Sequence, residues 1–143
     1  MFGPHLMLDC YGCEESKLRD VDFILKFLND LPYLIGMHKI TEPYAFSYSG
    51  NQKSFDRGGI SAVVLITESH ISIHTFPSYG YMTIEIFSCK DFDEQKTIDF
   101  IVKTFKVKKF EKKFLNRGLE FPKEIPKAAE IVKKQREEIE LVQ

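Results

Sequence analysis

The fold is decided by residues 60–67, Ile-Ser-Ala-Val-Val-Leu-Ile-Thr, together with residues 70–75, His-Ile-Ser-Ile-His-Thr, and 81–88, Tyr-Met-Thr-Ile-Glu-Ile-Phe-Ser. Each run is short and rich in β-branched or aromatic residues, which is typical of strands. A turn is expected around Pro77-Ser78-Tyr79-Gly80, between the second and third runs. Consecutive strands joined by short turns pair antiparallel, so the middle of the chain predicts an antiparallel sheet.

On either side of this stretch, apolar residues recur at the two-residue interval of a strand in some segments and at helical spacing in others. Residues 5–11 alternate, which predicts a strand with Leu6, Leu8 and Cys10 on its core face. Residues 14–29 and 94–105 have helical spacing instead, and Asp93 is the expected N-cap of the second helix. The residues expected to face the core are Leu18, Val21, Ile24, Leu25 and Leu28 in the first helix, and Ile98, Ile101, Val102 and Phe105 in the second. Pro32 is expected to help end the first helix.

The remaining segments complete an α+β pattern. We predict a weaker strand over residues 37–47, interrupted by Pro43, a loop over 48–59, a lysine-rich strand over 107–115 and a charged helix over 125–142. The order of elements predicts one domain over residues 1–143, a two-layer sandwich of an antiparallel sheet with helices packed on one face. The other sheet face is then left for a partner or ligand. It carries His5, Asp9, Tyr11, Glu85 and Phe87.

Composition excludes several classes of protein. The chain has 143 residues, is 43% hydrophobic and carries a formal net charge of −1, so it can bury a core and has no overall basic footprint for nucleic acid or anionic membrane. No apolar run is long enough to span a membrane. The first residues do not resemble a secretory signal, and three cysteines do not indicate a disulfide framework. A cytoplasmic location is therefore expected.

Three motifs have simple structural explanations. Cys10 and Cys13 have CxxC spacing but lack a second ligand pair, and they fit the end of a strand. His70 and His74 share a strand face, although no third ligand accompanies them, so no metal site is predicted. The lysines of residues 103–113 could contact nucleic acid, but they fit a solvated edge strand better.

A serine, two histidines and a cysteine are concentrated just after the first central run. Glu68-Ser69-His70 is followed by His74 and Cys89, a set that could provide a nucleophile and a proton shuttle. The G-x-S-x-G motif of common esterases is absent from it. Spacing alone does not choose among reactions, and a purely structural role stays open at this point.

The same residues resemble the prokaryotic S-adenosylmethionine decarboxylases. The resemblance covers most of the chain, beginning at His5-Leu6 and continuing through Asp9-Cys-Tyr-Gly-Cys13. It is densest from Gly59-Ile-Ser61 through Glu68-Ser-His70, Ile73-His-Thr75, Pro77, Tyr79-Gly-Tyr81 and Phe87-Ser-Cys89. The Glu-Ser-His block followed by Ile-His-Thr, with a cysteine beyond, is highly specific.

This resemblance implies a chain that cuts itself between Glu68 and Ser69, into a β chain of residues 1–68 and an α chain of 69–143. Ser69 would become a covalently bound pyruvoyl group, the cofactor that serves as electron sink in place of pyridoxal phosphate. His74 matches the family's base for the elimination step, and Ser61 a residue that assists processing. Cys89 matches the proton donor to the substrate carbon.

The resemblance also predicts the substrate, S-adenosylmethionine, whose decarboxylated form donates aminopropyl groups in spermidine synthesis. Phe55 and Phe76 match aromatics that stack on adenine, and stacked rings also suit a sulfonium cation. Ser78 stands where the family commonly has glutamate, so it could give the ribose only an uncharged hydrogen bond. Together with the Asp56-Arg57 pair, Ser78 leaves arginine or ornithine open as an alternative substrate. A homodimer is expected, and an unprocessed, non-catalytic homologue is the other alternative.

Overall fold

The computed structural model describes residues 1–51, 53–123 and 125–140, which form six strands and four helices. The strands are β1 (Gly3–Tyr11), β2 (Tyr44–Tyr48), β3 (Gly59–Ile66), β4 (Ser69–Phe76), β5 (Tyr81–Ser88) and β6 (Lys109–Arg117). The helices are α1 (Glu15–Leu18), α2 (Val21–Leu34), α3 (Glu94–Phe105) and α4 (Ile125–Glu140). This is the predicted α+β class.

The six strands form one antiparallel sheet in the order β2-β3-β4-β5-β1-β6. The three central runs are adjacent strands, as their sequences predict. A 3₁₀ turn over Pro77–Tyr79 joins β4 to β5, and Gly80 closes it with a φ of 58°, a conformation that glycine adopts at little cost. The hairpin register places His70 opposite Phe87 and His74 opposite Thr83.

The core lies between one face of the sheet and the helices α2 and α3. Alternate residues of the four inner strands are buried there against helical side chains such as Ile24, Leu28 and Ile101. Asp93 caps α3 as predicted, because its side chain accepts a hydrogen bond of 2.9 Å from the Lys96 amide. The opposite face of the sheet, here called the open face, carries the polar and aromatic side chains.

The predicted helix over residues 14–29 is two helices in the structure. Asp20 adopts an extended conformation and accepts a hydrogen bond from the Phe23 amide, which makes it the N-cap of a new helix. Pro32 lies inside α2 rather than beyond it, which corrects our expectation. The helix continues only to Leu34, and burial of the Pro32 ring offsets the hydrogen bond that proline cannot donate.

Two strand predictions also need correction. Only Tyr44–Tyr48 forms a strand in the region predicted as 37–47, because Pro43 cannot donate to a ladder and separates it from the earlier residues. The lysine-rich strand lies two residues later than predicted and is a solvated edge strand, with all nine of its residues exposed. The terminal helix extends to Glu140, and its predicted positions 141–142 lie outside the described residues.

Candidate active site

Glu68 and Ser69 form the tight connection between β3 and β4. Glu68 is buried, while Ser69 has a φ of 151°, in the region of positive φ that favours glycine. The Cys89 amide donates a 2.8 Å hydrogen bond to the carbonyl oxygen of Glu68. Three of the residues singled out from the sequence, Glu68, Ser69 and Cys89, therefore meet at one end of the sheet.

Close backbone packing supports this end of the sheet. Ser69 pairs with Ser88, the residue before Cys89. Gly3, at the start of β1, lies so close that a Cβ atom there would be 1.9 Å from the Ser88 carbonyl oxygen. Only glycine allows β1 to approach Ser88 in this way, and the segment that carries Cys89 is thereby held against the Glu68–Ser69 connection.

The Glu68 carboxylate is held by a residue that the sequence did not single out. His38 donates to it through Nδ1 at 2.8 Å and through its backbone amide at 3.2 Å. Burial acts to raise the pKa of Glu68, but these hydrogen bonds, with one from Thr67, lower that pKa to about 2. The carboxylate is therefore ionised throughout the neutral range.

His74 and Ser61 are neighbours on the open face. They lie opposite each other in the β3–β4 register, with 3.0 Å between Ser61 Oγ and His74 Nδ1. His74 is exposed to solvent. The structure thus brings together the two residues that the resemblance assigned to processing, and the hydroxyl fixes the orientation of the imidazole ring.

Within one chain, the Ser61–His74 pair lies far from the cleavage point at Glu68–Ser69. At about 3.3 Å per residue, His74 lies roughly 16 Å from Ser69 along β4, and Phe76 lies roughly 23 Å away. The Glu68–Ser69 connection is at one end of the sheet, and the β4–β5 turn with Phe76 and Ser78 is at the other.

An aromatic cavity of about 480 Å³ lies at this second end, lined by Tyr11, Phe55, Phe76, Tyr79 and Tyr81. The side chain of Phe55 is 75% exposed, so Phe55 does not serve the core. The rings of Phe76 and Tyr81 are 5.7 Å apart between centroids, with their planes tilted by 37°. The structure therefore brings the two predicted stacking residues together.

Ser78 lies beside this aromatic cavity. Its hydroxyl accepts a 3.4 Å hydrogen bond from Arg19 Nη2. The two side chains line a neighbouring open pocket with Arg57 and Tyr79, and Tyr79 is shared with the aromatic cavity. A serine and two guanidinium groups thus occupy the surroundings where a carboxylate was expected from the family pattern.

The open face also carries a hydrogen-bonded cluster that sequence reasoning did not identify as a unit. His5 and His70 each donate through Nε2 to a different oxygen of Glu85, at 3.2 and 3.1 Å. Burial acts to raise the pKa of Glu85, but the hydrogen bonds and charges of the two histidines lower it. His70 thus pairs with a carboxylate, and not with His74. The signal in the sequence was the position of all three residues on the polar faces of their strands.

The CxxC pair is structural. Cys10 and Cys13 are both buried, and burial raises their pKa values, to about 12 and about 11. Neither thiol is therefore ionised near neutral pH. Among the described residues, no group of three or more histidine, cysteine or carboxylate side chains is arranged to hold a metal ion.

Comparisons with known proteins agree on one family. Residues 4–118 match the family model described as S-adenosylmethionine decarboxylase. An S-adenosylmethionine decarboxylase proenzyme of Geobacillus kaustophilus is 36% identical over 126 residues, which are 88% of this chain and 94% of that protein. A proenzyme of the same description from a Sulfurihydrogenibium species is 30% identical over 82% of this chain and 83% of its own length.

A solved structure agrees with the sequence relatives. The crystal structure of the adenosylmethionine decarboxylase from Aquifex aeolicus superposes with a TM-score of 0.69 at 28% identity, over 86% of this chain and 95% of that one. None of the helices in the described residues is long and apolar enough to cross a membrane. The family match, the relatives and the shared fold establish that this chain belongs to the S-adenosylmethionine decarboxylase family.

Proposed function

We propose that this chain is a proenzyme that cuts itself at Ser69 and then decarboxylates S-adenosylmethionine with the pyruvoyl group so formed. The observation that carries the proposal is the geometry at the cleavage point. Ser69 has a strained backbone, and the carbonyl it would attack is hydrogen-bonded by the Cys89 amide. The names of the relatives, which describe proenzymes of the same activity, support it as well.

The cleavage consumes one water and releases ammonia. Ser69 Oγ attacks the Glu68 carbonyl carbon, the C–N bond breaks, and the hydroxyl proton moves to nitrogen, which leaves an ester. Removal of the Ser69 α-proton then expels the Glu68 carboxylate from the β-carbon. The resulting enamine takes up water, loses ammonia and becomes the pyruvoyl terminus of residues 69–143. Donation from the Cys89 amide stabilises the oxyanion of the first step.

The site fits a pyruvoyl group because its parent residue, Ser69, is only partly buried, while the Glu68 carbonyl beside it is held by the Cys89 amide. When formed, the group supplies an electron sink for the carbon that loses carbon dioxide. Cys89, half-buried and adjacent in space to the cleavage point, is our candidate proton donor to that carbon. His74, oriented by Ser61, is our candidate base in the elimination.

The aromatic cavity is the proposed site of the adenosyl group. Flat π faces from Phe55 and Phe76 suit both a purine ring and a sulfonium cation. Ser78 and Arg19 lie where ribose hydroxyls would need hydrogen-bonding partners. An arginine or ornithine substrate is not favoured, since the relatives named here are S-adenosylmethionine decarboxylases.

A homodimer would complete this site. One chain keeps Ser69 roughly 16 Å from His74 and roughly 23 Å from Phe76 along β4, at about 3.3 Å per residue. A second copy packed against the open face in the opposite direction would supply the base and the aromatic rings to its partner's serine. The exposed apolar side chains of this face, which include Leu65 and Phe46, support such packing.

Three free thiols support a reducing, cytoplasmic location.

Intact-mass analysis of purified protein tests the cleavage, and release of labelled carbon dioxide from S-adenosylmethionine tests the activity. We expect two fragments, ending at Glu68 and beginning at position 69, and no activity from a Ser69→Ala variant. A full-length, uncleaved chain after long incubation would instead support the non-catalytic alternative.

Mixed dimers test whether the partner completes the site. Ser69→Ala and His74→Ala chains, each uncleaved alone, are co-expressed with different affinity tags. If His74 acts across the dimer, the His74→Ala chain is cut only when it is paired with the Ser69→Ala chain. If His74 acts within its own chain, neither chain is cut in the mixture.

A further inference from the structure

A short segment after α2 runs alongside the residues that lead to the cleavage point. Residues 37–40 lie antiparallel to the end of β3, with Lys39 opposite Ile66. The Ile40 amide donates to the Leu65 carbonyl at 3.1 Å, and the Thr67 amide donates to the His38 carbonyl at 2.8 Å. This pairing brings the backbone of His38 beside the connection between β3 and β4.

His38 then holds Glu68 by its side chain. The carboxylate accepts hydrogen bonds from His38 Nδ1 at 2.8 Å and from the His38 amide at 3.2 Å. The carboxylate side chain is only 9% exposed, whereas that of His38 is 71% exposed. The contact therefore fixes Glu68 and contributes little to burial of the histidine.

Glu68 is consequently held from two sides. Its side chain is bound by His38, and its carbonyl oxygen accepts from the Cys89 amide at 2.8 Å. The next residue, Ser69, has the positive φ of 151°. A strained backbone of this kind persists only when surrounding contacts hold it in place, because the chain would otherwise relax to a more favourable conformation.

We infer that His38 is a positioning residue for self-cleavage, which holds Glu68 so that Ser69 stays in the strained conformation that presents its hydroxyl to the Glu68 carbonyl. This inference rests on the proposed function. His38 touches the carboxylate of Glu68 and none of the atoms that exchange bonds, so it acts through Glu68.

Time courses of cleavage in full-length chain made by cell-free synthesis test the inference, with the fraction cut read by gel and by mass. Loss of a hydrogen bond to a charged group predicts that His38→Ala slows cleavage by about tenfold. His38→Asn restores a donor at the position of Nδ1 and is expected to return the rate to within about threefold of the parent's. Ile40→Ala, in the same segment but away from Glu68, is the matched control and should cleave at the parent's rate.

A double-mutant cycle separates positioning from general destabilisation. In a Glu68→Ala background, removal of the His38 side chain should leave the cleavage rate unchanged, because its partner is already gone. Thermal unfolding of the same variants with Ser69→Ala checks that each one folds. Should His38→Ala not fold, His38→Gln replaces it, since its longer side chain moves the amide away from the Nδ1 position.

Four outcomes decide the matter. Slow cleavage with rescue by asparagine, and no further loss in the Glu68→Ala background, supports the inference. Parent-like cleavage by folded His38→Ala overturns it and leaves the proposed function intact. The inference is also overturned if His38→Ala slows cleavage in the Glu68→Ala background as much as it does in the parent, because His38 would then act through another residue. A parent chain that never cuts itself overturns the proposed function, and the inference with it.

Discussion

Ser61 and His74 face each other across the β3–β4 pair, with 3.0 Å between Ser61 Oγ and His74 Nδ1. If Nδ1 donates to the hydroxyl, Nε2 keeps its lone pair and can act as a base. The strand register alone creates this arrangement, because both residues occupy the open face at directly opposed positions. The pair is thus built into the most regular part of the sheet.

Loss of the Ser61 hydroxyl should therefore slow self-cleavage without unfolding the protein. A neutral hydrogen bond contributes about 1 kcal/mol, so Ser61→Ala is expected to reduce the cleavage rate about fivefold. Ser61→Thr, which keeps a hydroxyl, should retain most of the rate. Ser72→Ala removes a hydroxyl from the same face of β4 and serves as control. Equal rates for the parent and Ser61→Ala would show that the pair does not assist processing.

The Glu68 carboxylate should make stability depend on pH in the uncleaved Ser69→Ala chain. Its pKa is lowered from 4.5 to about 2 in the folded state, where burial opposes the shift and hydrogen bonds from His38 outweigh it. The stabilisation is therefore complete above about pH 5 and is lost as the pH falls towards 2. We expect Glu68→Gln to lower the unfolding free energy by about 1 kcal/mol at pH 7, after allowance for solvent screening.

Urea titrations of the Ser69→Ala chain, with and without Glu68→Gln, measure the difference in unfolding free energy between pH 7 and pH 3. It should shrink steadily in the acidic half of that range, because there the Glu68 carboxylate of the unfolded chain, with its ordinary pKa of 4.5, takes up a proton while that of the folded chain stays ionised. Other acids are common to both chains and cancel. A difference that stays constant with pH would mean that the charge of Glu68 does not contribute to folding.

The three cysteines should differ in reactivity. Burial raises the pKa of Cys10 to about 12, with added repulsion from Cys13 and Asp9, and burial raises the pKa of Cys13 to about 11. Only the thiolate reacts with alkylating agents. At pH 8, iodoacetamide should therefore label half-buried Cys89 in the folded protein and leave the other two intact, as read by peptide mass mapping. All three should react in urea, and labelling of Cys10 at the rate of Cys89 would contradict the structure.

Phe55 offers a test of the aromatic cavity that does not disturb the core. Because its ring is 75% exposed, Phe55→Ala should leave thermal stability unchanged. Stacking of an aromatic ring on a base contributes about 1–3 kcal/mol, so KM for S-adenosylmethionine should rise at least about fivefold, with little change in kcat. Tyr33→Ala, similarly exposed but on α2, is the control. An unchanged KM would place the adenosyl group elsewhere.

Local patterns in the sequence predict the elements of this fold well. Alternation in β1 and the β-branched runs of β3, β4 and β5 reflect burial on the core face, which a period of two residues records directly. The errors occur where one residue changes the local balance. Asp20 starts a new helix by capping, and Pro32 is tolerated because its ring is buried. Neither effect appears in the periodicity.

The candidate site can be predicted less completely from the sequence than the fold. Glu68, Ser69, His74 and Cys89 attract attention because of their chemistry and their resemblance to a family. His38 carries no such signal, since it lies in an irregular segment and its partner is 30 residues away. The cluster of His5, Glu85 and His70 is partly visible in the sequence, since each residue lies on the polar face of its strand, but the sequence does not show that three different strands bring the three together.

The amino-acid order by itself determined the succession of strands and helices, the buried face and the chemical groups available for reaction, because each of these depends on residues close together in the chain. Tertiary structure decided which groups meet. It placed His38 and the Cys89 amide against Glu68, and it held Ser69 at positive φ. The physical reason is that hydrogen bonds and backbone strain depend on distances set by strand register and sheet order, which no local pattern records.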